Sequence, residues 1–398
     1  MTRRDRIIAY ADQQHPVYRQ IALDIHARPE TCNEEFFACQ RLSEQLAREG
    51  FQVTVGVAGH PTGFDARYTS SKPGPVMLFL AEYDALTGLG HGCGHNLFGA
   101  TSCLAAAALK QVVDEVGGEV RVYGTPGEEG GPNGSAKGSF VREGFLTDVD
   151  AALCAHPSDR HLPTTPTLGC APVDIEFWGR SAHAASAPEK GVNALDALIL
   201  VYNGVNALRQ HLTPDVRIHG IIVNGGTAPN IVPDYAAAKF YFRAATAPRL
   251  EEVYQKVQRI VDGAAAMTGA KGRLRPYQNR VENTVLTPGF DEVYRRQMTS
   301  LGTKLEEPDE RASIGSSDVG NISQVVPTIQ PMLAITDGPT PGHSEAFVEA
   351  ARSEKGLRAI ALGAKALALT ALELIENPEL LEAIKQEHQA ALERQAEM

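Results

Sequence analysis

Val76-Met-Leu-Phe-Leu80 is a run of apolar residues without one polar position. In a strand, successive side chains point to opposite faces, so a strand of this kind must be covered on both sides. That requirement leaves few choices beyond a sheet sandwiched between helices. The surrounding pattern agrees. Apolar positions Ile7, Ile8, Ile21, Leu23, Leu42 and Leu46 recur among charges at helical spacing, and Phe51–Val55 reads as a short strand. An Ala-rich helix is expected from about Ala100 to Val113, followed by strands at Glu119–Tyr123 and Ala151–Ala155. Alternation of strands with long helices predicts an α/β domain with a central sheet flanked by helices.

The middle of the chain changes character. Val173–Phe177 alternates polar and apolar residues, as a strand with one wet face does. A helix over about 192–210, strands over 218–224 and 235–243, a helix over about 249–267 and a strand near Leu274 complete a β-α-β-β-α-β order. This is the split βαβ pattern of a small ferredoxin-like α+β domain. The expected organisation is therefore one domain from 1–170 and 281–398, interrupted by a second over 171–280.

Composition serves mainly to exclude. A net charge of −11 gives no wholesale attraction to nucleic acid or an anionic membrane. Six cysteines in 398 residues are too few for a disulfide scaffold, so reduced thiols and a cytoplasmic location are expected. No targeting segment or membrane span is evident: the stretch from Ala359 to Ile375 carries Lys365 and Glu373 and reads as an amphipathic helix.

Chemistry concentrates where the expected strands end. Ala81–Asn96 follows the buried strand directly and contains Asp84, His91, Cys93 and His95. Cys93 and His95 are metal-ligand types separated by one glycine, with Gly92 and Gly94 permitting a sharp turn. A glycine-rich loop with a buried thiol is the plain alternative. Glu128-Glu129 follows the next strand, where one carboxylate can bind an ion while the other handles a proton. Taken alone, that pair also fits an exposed acidic turn. His156 ends the third strand, and His343 lies in a Pro/Gly-rich loop that could complete a coordination shell. His183, Asn230 and Arg243 fall within the inserted segment, where a substrate or transition-state role and a simple turn-forming role both remain open.

Together these residues resemble the M20 family of metallopeptidases and amidohydrolases. The resemblance is carried, in order, by Ile25-His-Ala-Arg-Pro-Glu30, Glu34-Glu35, Asp84-Ala-Leu, His91-Gly-Cys-Gly-His95, Pro126-Gly-Glu-Glu129, His156, Gly179-Arg-Ser-Ala-His183, Asn230-Ile-Val-Pro-Asp234 and Gly342-His-Ser344. Gly315-Ser-Ser-Asp318-Val-Gly-Asn321 is most similar to the branch of aminobenzoyl-glutamate hydrolases and of dipeptidases cleaving before basic amino acids. The resemblance implies that Cys93, His95, Glu129, His156 and His343 bind one or two divalent metals. Zinc is the first expectation and manganese the second, with cobalt or nickel also suited to the mixed donor set. Glu128 is implied as the general base for a metal-activated water, Asp84 as the orienting partner of a ligand histidine, and His183 as an oxyanion donor from a second subunit. The insert is implied to be a lid and dimerisation domain, making the protein a homodimer. Asn230 and Arg243 would hold the substrate's carboxylate or backbone. An anionic leaving group would call for Arg243, Lys190 or Arg311, and a basic one for Asp318. Two positions depart from the family pattern. Asn96 stands where many amide-branch members carry Asp, and Glu82 where peptidase branches carry a metal-binding His. The expected activity is hydrolysis of the amide bond of N-acyl amino acids or dipeptides. Its rivals are a metal-dependent binding protein without turnover and a Cys93-based hydrolase.

Overall fold

The computed structural model describes residues 1–308 and 315–397. The chain separates into two compact units: Met1–Pro166 with Thr284–Arg394, and Thr167–Asn283 with the last few residues from Gln395.

The first unit begins with helices α1 (Arg3–Ala27) and α2 (Phe36–Arg48). Thr2 starts α1 with a capping box, its side chain accepting from Asp5 N while the Asp5 carboxylate accepts from Thr2 N. Then follow β1 (Gln52–Val55), β2 (Phe64–Thr69), β3 (Val76–Ala81), α3 (His95–Val116), β4 (Glu119–Gly124), α4 (Ala136–Arg142), β5 (Ala151–Leu153) and β6 (His156–Ser158). The second unit holds β7 (Gly169–Trp178), α5 (Ala194–Leu208), β8 (Arg217–Asn224), β9 (Tyr235–Ala244), α6 (Ala247–Thr268) and β10 (Lys271–Pro276). The first unit resumes with α7 (Pro288–Ser300), α8 (Val319–Ser323), β11 (Thr328–Ile329), β12 (Met332–Ala334), α9 (Glu345–Ala350), α10 (Glu354–Glu376) and α11 (Pro378–Ala396).

The main sheet has six strands in the order β1-β2-β4-β3-β5-β11, and β6 pairs separately with β12. β3 runs parallel to both β4 and β5, so the carboxyl ends of these three strands lie on one edge. The apolar run of β3 divides as its pleat demands. Met77, Phe79 and Ala81 enter a core shared with α1, α3 and α10, while Leu78 and Leu80 enter another with Tyr123, Phe140 and Ile322. Each fully buried Leu, Met or Phe contributes about 1.5–3 kcal/mol relative to exposure.

Two details depart from the pattern-based expectation. α3 starts at His95 rather than near Ala100, because Gly94 turns left-handed (φ 78°) and lets the helix begin inside the glycine-rich loop. The third strand stops at Leu153, and the chain changes partners to run beside β12 from His156. In the second unit the order β10-β7-β9-β8, all antiparallel, with α5 and α6 packed against the sheet, is the ferredoxin-like arrangement expected from the sequence. No described helix is long and apolar enough to cross a membrane. The six cysteines are all free thiols.

Gly124 closes β4 opposite Phe64, and a Cβ there would fall 2.1 Å from the Phe64 ring. That ring is itself buried and stacked on Tyr83. Gly124→Ala is therefore expected to cost about 1–3 kcal/mol through overpacking. Gly263, exposed within α6 with open space around it, is the contrasting case. Gly263→Ala should stabilise by up to about 1 kcal/mol through helix propensity. Urea unfolding midpoints of the two variants should move in opposite directions.

Candidate metal centre

The parallel strands β3, β4 and β5 deliver three loops to one edge, where open α/β sheets characteristically place their ligands. Asp84, in the loop after β3, is fully buried and holds two neighbours in place. Its Oδ1 accepts from His95 Nδ1 at 3.0 Å, and its Oδ2 accepts from the backbone N–H of Glu129 at 2.9 Å. Burial alone would raise this carboxyl, but the charge and hydrogen bond of His95 outweigh it and hold Asp84 below the usual carboxylate range. With Nδ1 engaged, the neutral form of His95 carries its lone pair on Nε2. That atom is buried and makes no hydrogen bond.

His156 shows the same logic. Its Nδ1 donates to the Pro157 carbonyl at 2.7 Å, leaving Nε2 to face Cys93 Sγ at 3.5 Å. Burial lowers its pKa to about 4, so the ring is neutral and free to ligate. Donor atoms from Cys93, His95 and His156 lie within 4.8 Å of one another. So do those of Cys93, Glu129 and His343, and those of His95, Glu128 and Glu129. His343 takes a left-handed backbone (φ 56°), and its N–H donates to the Gly92 carbonyl, which ties its loop to the cysteine loop. Its Nε2 lies 3.5 Å from Glu129 Oε2.

The electrostatics test whether a cation belongs here. Burial, followed by the nearby charges of Glu82 and Glu129, lifts the Glu128 carboxyl well above its ordinary value. Burial also raises Glu129. For His95, burial lowers proton affinity, yet Cys93 and Asp84 reverse the balance and raise it. A pocket in which Glu128, Glu129 and His95 all bind protons more tightly is short of positive charge. Glu129 Oε1, like His95 Nε2, is buried without a hydrogen-bond partner. Soft and hard donors with free lone pairs, in a pocket short of cations, fit a divalent metal.

Other residues support the loops from behind. Glu35, buried at the start of α2, accepts from Gly127 N at 3.0 Å and from Thr62 Oγ1 at 2.8 Å, fixing the turn that carries Glu128. Asn96, where a carboxylate is common in the family resembled, donates to the carbonyls of Ala22 and Ala351. It ties α3 to α1 and to the end of α9, which a carboxylate, having no N–H, could not do. Cys39, Cys103, Cys154 and Cys170 are buried. Cys32 is not a core thiol: it is half-buried beside the Glu128 loop, where a Cβ on Gly127 would meet its sulfur at 2.7 Å.

Asp318 differs from its expected role. It is fully enclosed, Oδ1 paired with Lys137 Nζ at 2.5 Å and Oδ2 accepting from Lys137 N at 3.2 Å. It is thus unavailable as an open acid for a basic substrate group. Lys137, buried and touching both Asp318 and Glu82, is the residue that sequence reasoning missed. A lone lysine at the start of a short helix, just after a glycine-rich stretch, carries no spacing signal. Arg311 lies outside the described residues.

In the second unit, His183 is exposed, and its Nδ1 accepts from the N–H groups of Ala185 and Ser186 at 3.2 and 3.1 Å. A neutral ring must then carry its proton on Nε2, the tautomer of an oxyanion donor. Asn230 is exposed beside it, its carbonyl accepting from Ala184 N while His183 bridges to Ile231. Arg243 is elsewhere. It pairs in register with Cys170, whereas Trp178, just before the His183 loop, pairs with Tyr235. Eight residues of β9, about 25 Å of strand, separate the two ends of this sheet within one chain. The structure therefore does not bring Arg243 together with His183 and Asn230.

Comparison with known proteins agrees with the geometry. A peptidase dimerisation domain matches residues 167–267. The chain is 36% identical to human Xaa-Arg dipeptidase, with 93% of this chain and 88% of that protein covered. It is 32% identical to a p-aminobenzoyl-glutamate hydrolase of Escherichia coli, with 97% and 94% covered. A dinuclear metal binding peptidase of Bacillus subtilis has the same fold at a TM-score of 0.63 and 21% identity, with 91% of this chain and 99% of that one covered. With the order of motifs, the ligand-bearing strand ends and two relatives similar over nearly the whole chain, the protein belongs to the M20 family of metallopeptidases and amidohydrolases.

Proposed function

We propose that this chain hydrolyses the amide bond of N-acyl amino acids or dipeptides, using Cys93, His95, Glu129, His156 and His343 to hold one or two divalent ions. The observation that carries the reading is the convergence of these donors in overlapping groups, with His95 Nε2 free of hydrogen bonds and Glu128 grouped with His95 and Glu129. Zinc suits the thiolate and imidazoles best, and manganese comes second. A divalent ion held there supplies Lewis acidity, bringing the pKa of a water toward neutrality and polarising the amide carbonyl.

The chain's own groups do the rest. Glu128, its proton affinity raised by burial and neighbouring carboxylates, takes a proton from the attacking water and returns it to the leaving amine. Asp84 keeps the His95 ring turned so that Nε2 faces the cluster. His183 donates from Nε2 to the developing oxyanion, reaching the site from a second copy, with the 171–280 segment serving as lid and dimer contact. Asn230 lies beside His183 and holds the substrate backbone. Arg243, at the far end of the same sheet, would serve a substrate carboxylate in the site of a partner subunit. The human relative is named for cleavage before arginine and the bacterial one for aminobenzoyl-glutamate, and substrates of those two classes are the first to test. The Cys93-nucleophile alternative is disfavoured because burial pushes the thiol up, leaving little thiolate without a bound cation.

Glu128→Gln should leave metal content unchanged and lower turnover at least about 10²-fold. Released amine from a panel of N-acyl amino acids and dipeptides, alongside elemental analysis, checks both; full activity would overturn the assignment. Chelation should abolish turnover, and added zinc or manganese should restore it.

Proton affinity fixes the sign of a second test. Glu129, His95 and Cys93 bind protons more tightly than usual in the metal-free protein, so an entering ion must displace protons. Apparent zinc affinity should therefore rise with pH, and calorimetry at neutral pH in buffers of different ionisation enthalpy should show net proton release. Proton uptake, or affinity independent of pH, would contradict this ligand set.

A further inference from the structure

Glu82, Lys137 and Asp318 have no exposed surface, and they form one continuous contact. Lys137 Nζ lies 2.7 Å from Glu82 Oε1 and 2.5 Å from Asp318 Oδ1. Among the described residues the group thus holds two carboxylates against one ammonium. Removing a charge from water costs several kcal/mol unless it is paired, so the surplus negative charge needs a cation nearby. Geometry shows where that surplus points. Asp318 is satisfied at both oxygens by Lys137, through Nζ and the backbone N–H. Neither Glu82 oxygen makes a hydrogen bond, but Lys137 Nζ forms an ion pair with Oε1, whereas Oε2 faces away from the ammonium. That oxygen lies 3.3 Å from His95 Nε2, the nitrogen left free because Asp84 occupies Nδ1. Two donor atoms each about 2.0–2.1 Å from one tetrahedral ion are themselves about 3.3–3.4 Å apart. The approach of this carboxylate oxygen to His95 Nε2 thus has the spacing of two ligands of a common cation.

We propose that Glu82 Oε2 is a further ligand of the ion held by His95, and that Lys137, itself anchored by Asp318, is the positioning residue that aims it. This rests on the metal-dependent reading above and adds an oxygen donor to its ligand set. The lysine keeps one carboxylate oxygen occupied, so that the carboxylate presents a single oxygen to the ion. Asp318 in turn keeps the lysine from being drawn wholly onto Glu82.

The test uses the full-length protein, stripped of metal and titrated with cobalt(II) alone. Visible absorption reports coordination number and donor type, and calorimetry with zinc reports affinity and stoichiometry. Glu82→Gln should weaken the tightest zinc site at least about tenfold and change the cobalt spectrum. Asp318→Asn, which loosens the anchor of Lys137 but leaves Glu82 in place, should change the cobalt spectrum less than Glu82→Gln does. Should Glu82→Gln fail to fold, Glu82→Asp keeps the charge but withdraws the oxygen by one methylene, and the same spectral change is expected. An unaltered spectrum in whichever Glu82 variant folds, or an equal change in Asp318→Asn, would overturn the assignment of Glu82 as a ligand. A wild-type protein that binds neither cobalt nor zinc would instead overturn the functional reading itself.

Discussion

Charge imbalance in a largely buried pocket governs this molecule. At the carboxyl edge of β3, β4 and β5 the chain gathers Glu82, Asp84, Glu128 and Glu129 with a thiol, and the ammonium of Lys137 is paired with only one of these acids, Glu82. Such a cluster is stable only if protons or a metal ion neutralise it, since unpaired buried charge costs several kcal/mol. The raised proton affinities of Glu128, Glu129 and His95 are the metal-free form of that demand. The proposed metal site, the proposed role of Glu128 and the enclosure of Lys137 all rest on one electrostatic condition.

The scaffold exists to hold that condition in place. Parallel pairing of β3 with its two neighbours puts three loops on one edge, and apolar cores on both sheet faces prevent the strands from sliding. Behind the ligands, Asp84 couples the cysteine-histidine loop to the Glu129 backbone, while Glu35 grips Gly127. His343, from a segment remote in the chain, is fastened to Gly92 by a single backbone hydrogen bond. A donor set drawn from such distant segments is precise only because each segment is tied to its neighbour.

The second unit is built on a different plan. Its sheet sets His183 and Asn230 at one end and Arg243 at the other, so one chain's copy cannot use all three at a single point. This unit contains residues 167–267, which match a peptidase dimerisation domain.

Much of this was legible in the residue order. The all-apolar β3 required cover on both faces, the Gly-Cys-Gly-His and Glu-Glu pairs stood at strand ends, and the β-α-β-β-α-β order marked the insert, because periodicity and local turn chemistry are written within a few residues. Sequence could not show that α3 begins at His95, since only the folded loop reveals Gly94 turning left-handed. Nor could it reveal that Asp318 is sealed against Lys137, or that Glu82 faces His95 Nε2. Those pairings join residues far apart in the chain or place two loops across a sheet edge, and electrostatic contact depends on distance in space. Local pattern therefore determined which residue types could serve as ligands. Tertiary packing alone decided which of them share one pocket, which are spent on holding it together, and which lie at the far end of another sheet.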